Sequence, residues 1–310
     1  MRTTGRATGR ATVRTTAAST GRDRPDRCPG VLRPWPAEDG ALARIRVPGG
    51  QLPVAALQGL AAVAKQYGDG RVRLTGRANL QLRGLPAVGG VLAPAVVTAI
   101  EAAGLLPSRS HDQARNVLAS PQTGRAGGRA DLRPVLAALD AAILASPTLA
   151  GLPGRFLFTL DDGRGDLVDR HRDLGLIALD ADRARLLVGP GGGPVVRLSG
   201  APAALVALAE EFQAVRGSGP DAAWHVDELA VPLTGGSGHP AEALPVGAPL
   251  SPLPFGPVPG GTHLAAGEDA VIDVSAVLAA ATTPDVVLTP FGGVLIPGTP
   301  DLVVPAGRSL

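Results

Sequence analysis

Hydrophobic and polar positions alternate with a period of two along residues 72–84, and this pattern predicts a single β-strand. Its apolar face would hold Val72, Leu74, Ala78, Leu80 and Leu82. Its polar face would hold Arg73, Thr75, Arg77, Asn79, Gln81 and Arg83. Next-but-one side chains on a strand lie roughly 6.5–7 Å apart, so the arginines repel one another unless solvent or an anion intervenes. We therefore expect this face to bind a ligand with several negative charges; a solvated sheet face is the alternative interpretation.

The remaining patterns predict alternating strands and helices. Alternation predicts a strand over 41–47. Short strands are expected over 155–160, 174–179 and 185–188, and a strand pair or one bent strand over 286–298. Helical spacing predicts helices over 53–68, 91–103, 132–144 and 202–215, and a short helix over 273–281. Asp131 is expected to cap the third of these helices, and 189–194 is expected to form a turn. The order of elements is typical of an α+β fold.

Changes in pattern and composition divide the chain into five parts. We expect a basic disordered leader over 1–27, a first half-domain over 28–106 and an α/β domain over 107–231. A Pro- and Gly-rich linker over 232–260 and a second, divergent half-domain over 261–310 follow. The two half-domains show a weak repeat, because Val-x-Leu-Thr occurs at 72–75 and 286–289, with a glycine nine residues after each threonine. The second copy has no arginine at the matching positions.

The composition argues against nucleic acid and membranes as binding partners of this protein. The net charge is +2, and much of the arginine excess lies in the predicted leader. We see no basic helix with interleaved aromatic residues, so nucleic acid is not an expected partner. No apolar run reaches the length of a membrane span, and the N-terminal tail has no secretory apolar core. We therefore expect a cytoplasmic protein that has no membrane partner.

Cysteine and histidine usage argues against a metal site in this chain. Cys28 is the only cysteine, so neither an intrachain disulfide nor an all-cysteine metal site can form. The five histidines lie at 111, 171, 225, 239 and 263, without metal-ligand spacing. The sequence identifies no acid–base residue, and we predict no metal ligand.

Four short segments together resemble the nitrite/sulfite reductase superfamily and, within it, the precorrin-3B synthase branch of cobalamin biosynthesis. They read DRCPG at 26–30, LTGRANLQLR at 74–83, RNVLASP at 115–121, and LPGRFLF at 152–158 with DDGRGD at 161–166. The first three also fit the reductases, whereas DDGRGD looks more like the precorrin branch. The resemblance spans about 28–180, and the weak repeat extends it towards residue 300.

The resemblance implies a fold and a set of binding residues. It implies two ferredoxin-like half-units, the second divergent, flanking an α/β domain that binds siroheme or another tetrapyrrole. The matching positions of Arg77 and Arg115 would face the tetrapyrrole, and Arg155 would be the first of two basic residues in its pocket. The second of those residues is Leu157 here, which is a departure from the family pattern. The expected tetrapyrrole-binding residues are Arg73, Arg77, Asn79, Gln81, Arg83, Arg115, Asn116 and Arg155.

The resemblance also implies cofactors that this chain matches only in part. Family members use a [4Fe–4S] cluster, held by four cysteines, together with siroheme or non-haem iron. One cysteine cannot hold such a cluster. We therefore expect a truncated product, a degenerate paralogue, or half of a split enzyme that works with an electron donor or a separate cluster-bearing chain.

Three functions remain open on this basis. The first is a precorrin-3B synthase-like oxidoreductase, whose family reaction is an O₂-dependent oxidation of precorrin-3A. The second is a relative of the siroheme-dependent nitrite and sulfite reductases, against which Leu157 and the missing cysteines weigh. The third is a non-catalytic tetrapyrrole-binding remnant, which the single cysteine favours.

Overall fold

The computed structural model describes residue 26, residues 28–234 and residues 252–298. The predicted leader, apart from Asp26, lies outside the described residues. The strands are β1 (Trp35–Ala37), β2 (Gly40–Ile45), β3 (Gln51–Pro53), β4 (Arg73–Leu74), β5 (Leu80–Leu85), β6 (Ala87–Val88), β7 (Val91–Leu92), β8 (Val117–Ala119), β9 (Phe158–Asp161), β10 (Leu174–Ala178), β11 (Arg183–Val188), β12 (Gly191–Arg197), β13 (Gly256–Val258), β14 (Gly261–Ala265), β15 (Asp285–Leu288) and β16 (Gly293–Pro297). The helices are α1 (Val54–Tyr67), α2 (Pro94–Ala102), α3 (Arg133–Ala145), α4 (Ala201–Val215) and α5 (Val274–Ala280).

The first sheet has the order β1-β2-β5-β4 and is antiparallel. The single strand predicted over 72–84 is wrong, because the segment forms β4, a tight turn and β5. The Thr75 N–H donates to the Asn79 carbonyl at 2.8 Å, and Ala78 adopts a left-handed φ of 50°. Alternation continues across this turn because Ala78 is apolar and falls in phase with the two strands.

The second sheet has the order β12-β11-β10-β9-β8, and its strands β8, β9 and β10 run parallel. Helices α3 and α4 contact each other, and their apolar residues share one buried cluster with the strands. The strands predicted over 155–160, 174–179 and 185–188 are confirmed with shifted ends. The turn predicted over 189–194 is wrong for most of its length, because β12 begins at Gly191 and pairs with β11 as an edge strand.

The third sheet has the order β13-β14-β16-β15-β3, so it includes a strand from the early part of the chain. Strand β3 pairs with β15 through Leu52 and Val286. In the opposite direction, Val271 from the late part of the chain forms a bridge to Arg73 of β4 in the first sheet. The strand pair predicted over 286–298 is confirmed as β15 and β16, and the helix predicted over 273–281 as α5. Strand β13 lies within the segment predicted to be a linker.

The predicted helices are confirmed, with one change at a boundary. The helix expected from residue 91 begins at Pro94, because Val91 and Leu92 instead form β7, which pairs with β6 in a hairpin. The N-cap predicted at Asp131 is wrong, because α3 begins at Arg133 and its N-cap is Leu132. Asp131 instead accepts a hydrogen bond from the Arg133 N–H at 3.0 Å. None of the described helices has the length and apolar character that crossing a bilayer requires.

The weak sequence repeat corresponds to one strand–turn–strand unit in the first and third sheets. In the second copy, the Thr289 N–H donates to the Gly293 carbonyl at 2.9 Å, as Thr75 does to Asn79. Both threonine hydroxyls also accept a backbone N–H four residues later, at 3.1 Å from Asn79 and at 3.3 Å from Gly293. Corresponding positions of the two copies can therefore be compared residue by residue.

Candidate functional site

Strand pairing gathers arginine side chains on one side of the first sheet. Arg44, Gln81 and Arg73 are register partners across β2, β5 and β4, and register partners point to the same face. Arg83 follows on the same side of β5 by alternation, and Arg46 follows Arg44 after β2. Both Arg44 and Arg46 reach the thiol of Cys28, which confirms that they share a side. We call this set the arginine face: Arg44, Arg46, Arg73, Gln81 and Arg83.

Several guanidinium nitrogens of the arginine face are buried and have no partner within residues 28–234 and 252–298. Arg73 forms an ion pair with Asp69 at 2.6 Å, and Arg46 Nη2 donates to the Gly154 carbonyl at 3.0 Å. The remaining buried nitrogens have no hydrogen-bond partner among the described residues; they are Arg44 Nε, Arg46 Nε, Arg73 Nε, Arg73 Nη1 and Arg83 Nε. Native proteins rarely leave buried donors unpaired, so a cluster of them indicates a ligand that accepts hydrogen bonds.

Arg77 lies in the turn between β4 and β5 and connects the arginine face to the second sheet (β8–β12), which we call the central sheet. Its Nη1 donates to the carbonyl of Arg155 at 2.8 Å. Burial lowers the pKa of Arg77, and the positive charges of Arg46 and Arg44 act in the same direction. Guanidinium groups nevertheless stay protonated in proteins, so the site concentrates permanent positive charge.

Arg155 lies at the exposed edge of this region. Its guanidinium stacks 5.1 Å from the centre of the Trp224 ring, and its Nε lies 3.5 Å from Asp26 Oδ1. Because 49% of its side chain is exposed, Arg155 can reorient towards a bound molecule. The structure thus brings the predicted residues Arg77 and Arg155 together, near the predicted residues of β4 and β5.

Two predicted binding residues, Asn79 and Asn116, form a buried bridge between the first sheet and the central sheet. Asn79 Oδ1 accepts the Val47 N–H at 2.9 Å, and Asn79 Nδ2 donates to Asn116 Oδ1 at 2.9 Å. Asn116 Nδ2 donates in turn to the Phe156 carbonyl at 3.1 Å. Both residues are 1% exposed, so these side chains hold the turn that carries Arg77 against the central sheet and do not themselves face solvent.

The Arg115 guanidinium is already paired with a carboxylate of this chain, that of Asp140. Its guanidinium makes a bidentate pair with Asp140 of α3, at 2.7 and 2.8 Å. Such paired hydrogen bonds are among the stronger ones that an arginine makes. A carboxylate ligand at Arg115 would therefore compete with Asp140, and the role predicted for Arg115 stays a prediction.

Arg44 and Arg46 were not among the residues predicted from the sequence. Alternation over 41–47 indicated their strand and their common side, but strand alternation does not say which strand becomes its neighbour. Pairing of β2 with β5 places them beside Gln81 and Arg83. The matching positions of the third sheet carry His263, Leu295 and Val287, all of them buried.

Comparison with known proteins gives a family match for the first sheet. The profile of the "Nitrite/Sulfite reductase ferredoxin-like half domain" matches residues 36–88, from β1 to β6, which include the whole arginine face. Residues 36–88 therefore belong to the nitrite/sulfite reductase superfamily.

Two curated members of the superfamily are similar to parts of the chain. A precorrin-3B synthase from Sinorhizobium sp is 40% identical over 60 residues, which are 19% of this chain and 13% of that protein. A ferredoxin–nitrite reductase from Synechococcus elongatus is 33% identical over 144 residues, which are 44% of this chain and 27% of that protein. The matched parts are thus small fractions of both relatives.

A solved structure of the superfamily has the same mixed α/β fold. The structure of the Mycobacterium tuberculosis NirA protein matches with a TM-score of 0.60 and 17% sequence identity. The match covers 89% of this chain and 60% of that chain. The predicted superfamily is therefore confirmed, and so is a mixed α/β, ferredoxin-like fold.

The residues of this chain fit a tetrapyrrole and do not fit an iron–sulfur cluster. A [4Fe–4S] cluster needs four cysteine thiolates, and this chain has the buried Cys28 alone. The residues therefore do not fit a cluster. A tetrapyrrole that carries carboxylates does fit, because the unpaired guanidinium nitrogens of the arginine face are donors for such groups.

Proposed function

We propose that this protein binds a polycarboxylate tetrapyrrole on the arginine face, in the manner of the precorrin-3B synthase branch of the superfamily. The observation that carries the proposal is the group of buried guanidinium nitrogens of the arginine face that have no hydrogen-bond partner in the part of the chain that the structure describes. Carboxylates satisfy such donors in pairs, with charge-assisted hydrogen bonds. Because tetrapyrroles of this class carry several carboxylates around one ring, a single ligand could satisfy several arginines.

In this proposal the residues have different roles. Arg44, Arg46, Arg73 and Arg83 bind carboxylates on the sheet, while Arg77 and Arg155 bind at its edge. Gln81 offers an amide between Arg44 and Arg73 on the same row. Asn79 and Asn116 fix the turn that carries Arg77.

The position of Leu157 supports the precorrin branch over a sulfite or nitrite reducer. Leu157 is 3% exposed and packs in the apolar core, where the resemblance leads one to expect a second basic residue. A substrate that is itself the tetrapyrrole requires less charge above the ring than a small anion does. Insertion of one oxygen atom of O₂ into that substrate would require two electrons from a separate donor or cluster-bearing chain, which reduce the other oxygen atom to water. This chain has one cysteine and cannot hold a [4Fe–4S] cluster that would carry them.

Titration of the purified chain with two tetrapyrroles tests the proposal. Siroheme and precorrin-3A are added separately, and the visible absorption spectrum of each is followed. We expect a saturable spectral change with precorrin-3A at one equivalent. Saturable binding of siroheme alone would replace the proposal with the reductase alternative, which the similarity to ferredoxin–nitrite reductase favours. Absence of a spectral change with both ligands would refute tetrapyrrole binding altogether.

A further inference from the structure

Three potential metal ligands meet at the start of the central strand β10. His171 and Asp173 precede β10, and His225 precedes a short 3₁₀ turn over Val226–Glu228. One ligand atom from each of these three side chains lies within 4.8 Å of the other two. His225 follows Asp173 by 52 residues in sequence, so only the fold brings it to the other two.

The distances suit a bound ion. His225 Nδ1 lies 3.2 and 3.3 Å from the two carboxylate oxygens of Asp173. A metal bonded at about 2.0–2.2 Å to a nitrogen and an oxygen holds those atoms roughly 3.0–3.5 Å apart. The His171 ring lies edge-on to the His225 ring, with centres 4.8 Å apart. Because 52% of its side chain is exposed, His171 can close the remaining gap by changing rotamer.

The surroundings hold the carboxylate in a fixed orientation. Asp173 is fully buried, and its two oxygens accept the backbone N–H groups of Leu157 and Val226 at 2.8 and 3.0 Å. Hydrogen bonds of this kind orient the ligands of metal sites. Asp227 Oδ2, 3.8 Å from His171 Nε2, adds negative charge on the solvent side.

We propose that His171, Asp173 and His225 form a binding site for a divalent transition metal. Two imidazoles and one carboxylate are typical donors for ions such as Fe²⁺, Co²⁺ and Zn²⁺, and three protein ligands leave positions open for another molecule. The site lies near Arg155, because Trp224, the residue before His225, stacks against the Arg155 guanidinium. This inference does not depend on tetrapyrrole binding.

Cobalt titration of the tag-free full chain tests the site. The protein is first stripped of metal with a chelator, and the visible absorption of Co²⁺ is followed, with Zn²⁺ as a competitor. We expect one equivalent of Co²⁺ to bind and Zn²⁺ to displace it. Substitution of His171→Ala or His225→Asn should each weaken the affinity for Co²⁺ by at least about tenfold. His225→Asn keeps a donor for Asp173, and circular dichroism checks the fold of both variants.

A matched histidine variant and an arginine variant serve as controls. His239→Ala removes a histidine outside the described residues and should leave Co²⁺ binding unchanged. Arg197→Ala, on the edge strand β12, should also leave it unchanged. The titration contains no tetrapyrrole, so failure of the metal site and failure of tetrapyrrole binding are separable. The proposal is overturned if Co²⁺ does not bind, if both site variants bind it as the native chain does, or if His239→Ala abolishes the binding.

Discussion

Buried guanidinium groups are the feature that sets this molecule apart at the scale of single residues. Arg46 and Arg73 are 4% and 7% exposed, yet each keeps at least one nitrogen without a hydrogen bond among the described residues. Burying an unpaired donor costs about 1–3 kcal/mol, and more for a charged group. A ligand that supplies acceptors recovers this free energy, which is why these residues indicate a binding site.

Arg77→Ala is expected to weaken binding of precorrin-3A by about 1.5–3 kcal/mol, the range for a hydrogen bond to a charged group. The side chain contributes one described hydrogen bond, to the Arg155 carbonyl, so the fold should tolerate the change. The measurement is the dissociation constant from the visible titration. Arg197→Ala, on the exposed edge strand β12, is the matched control and should bind as the native chain does. Equal affinities for the two variants would place Arg77 outside the site.

Asp166 should make stability depend on pH. Burial raises its pKa to about 7, even though the Ser120 hydroxyl donates to it and Arg164 lies nearby. The folded state therefore holds a proton that the unfolded state loses near pH 4. This contribution to stability is complete below about pH 4 and is lost as the pH rises through 7.

Asp166→Asn removes that titration, because the amide does not ionise. The native free energy of unfolding should fall by up to about 1.4 kcal/mol per pH unit between about pH 4 and 7 relative to the variant. Urea unfolding of both proteins across this range measures the difference. A difference that does not change with pH would contradict the raised pKa.

Asn79→Ala should destabilise the protein, because it breaks the bridge between the first and central sheets. The change leaves the Val47 N–H and the Asn116 Oδ1 buried without their partner. Each unpaired group costs about 1–3 kcal/mol, which urea unfolding can resolve. Gln81→Ala, in the neighbouring strand and less buried, is the control and should change the stability less.

At the scale of elements, one strand–turn–strand unit is built twice with different side chains. The two turns share their threonine hydrogen bonds, but Phe291 occupies the position of Arg77. Arg170 covers the second turn, with its guanidinium 5.6 Å from the Phe291 ring and its Nη2 bonded to the Pro290 carbonyl at 2.9 Å. The two copies thus share the backbone of the turn, whereas the first copy has the charged Arg77 where the second has Phe291.

Gly293→Ala tests the close packing of the second copy. A Cβ atom there would lie 2.3 Å from the Leu264 carbonyl oxygen and 2.5 Å from His263 Nε2. Overpacking of this kind costs about 1–3 kcal/mol, so the thermal midpoint should fall. Gly76→Ala in the first turn meets nothing within 4 Å and is the control. Equal midpoints for the two variants would contradict the packing described.

At the scale of the whole molecule, the two repeated units are tied together by an exchange of segments. Strand β3 leaves its own unit and pairs with β15, while Val271 bridges to Arg73 of the first sheet. The Ile272 N–H also donates to the Val72 carbonyl at 2.9 Å. Each sheet therefore depends on a segment from the other end of the chain.

Residues 28–106 expressed alone should not unfold cooperatively, because β3 then lacks its pairing partner and the first sheet loses the Val271 bridge. Circular dichroism during urea titration measures this. Addition of a peptide of residues 252–298 is expected to restore part of the transition. A cooperative transition of 28–106 by itself would show that the exchange is dispensable for folding.

The sequence by itself determined the class of elements, the repeat and the superfamily. Periodicity identifies α1, α3 and α4 because each helix buries one apolar stripe, and the threonine turns recur because their hydrogen bonds are local. Tertiary structure decided that 72–84 is a hairpin, that Arg44 and Arg46 join the arginine face, and that His225 meets Asp173. Alternation describes one strand at a time, whereas pairing between strands and contacts between loops depend on how distant segments pack.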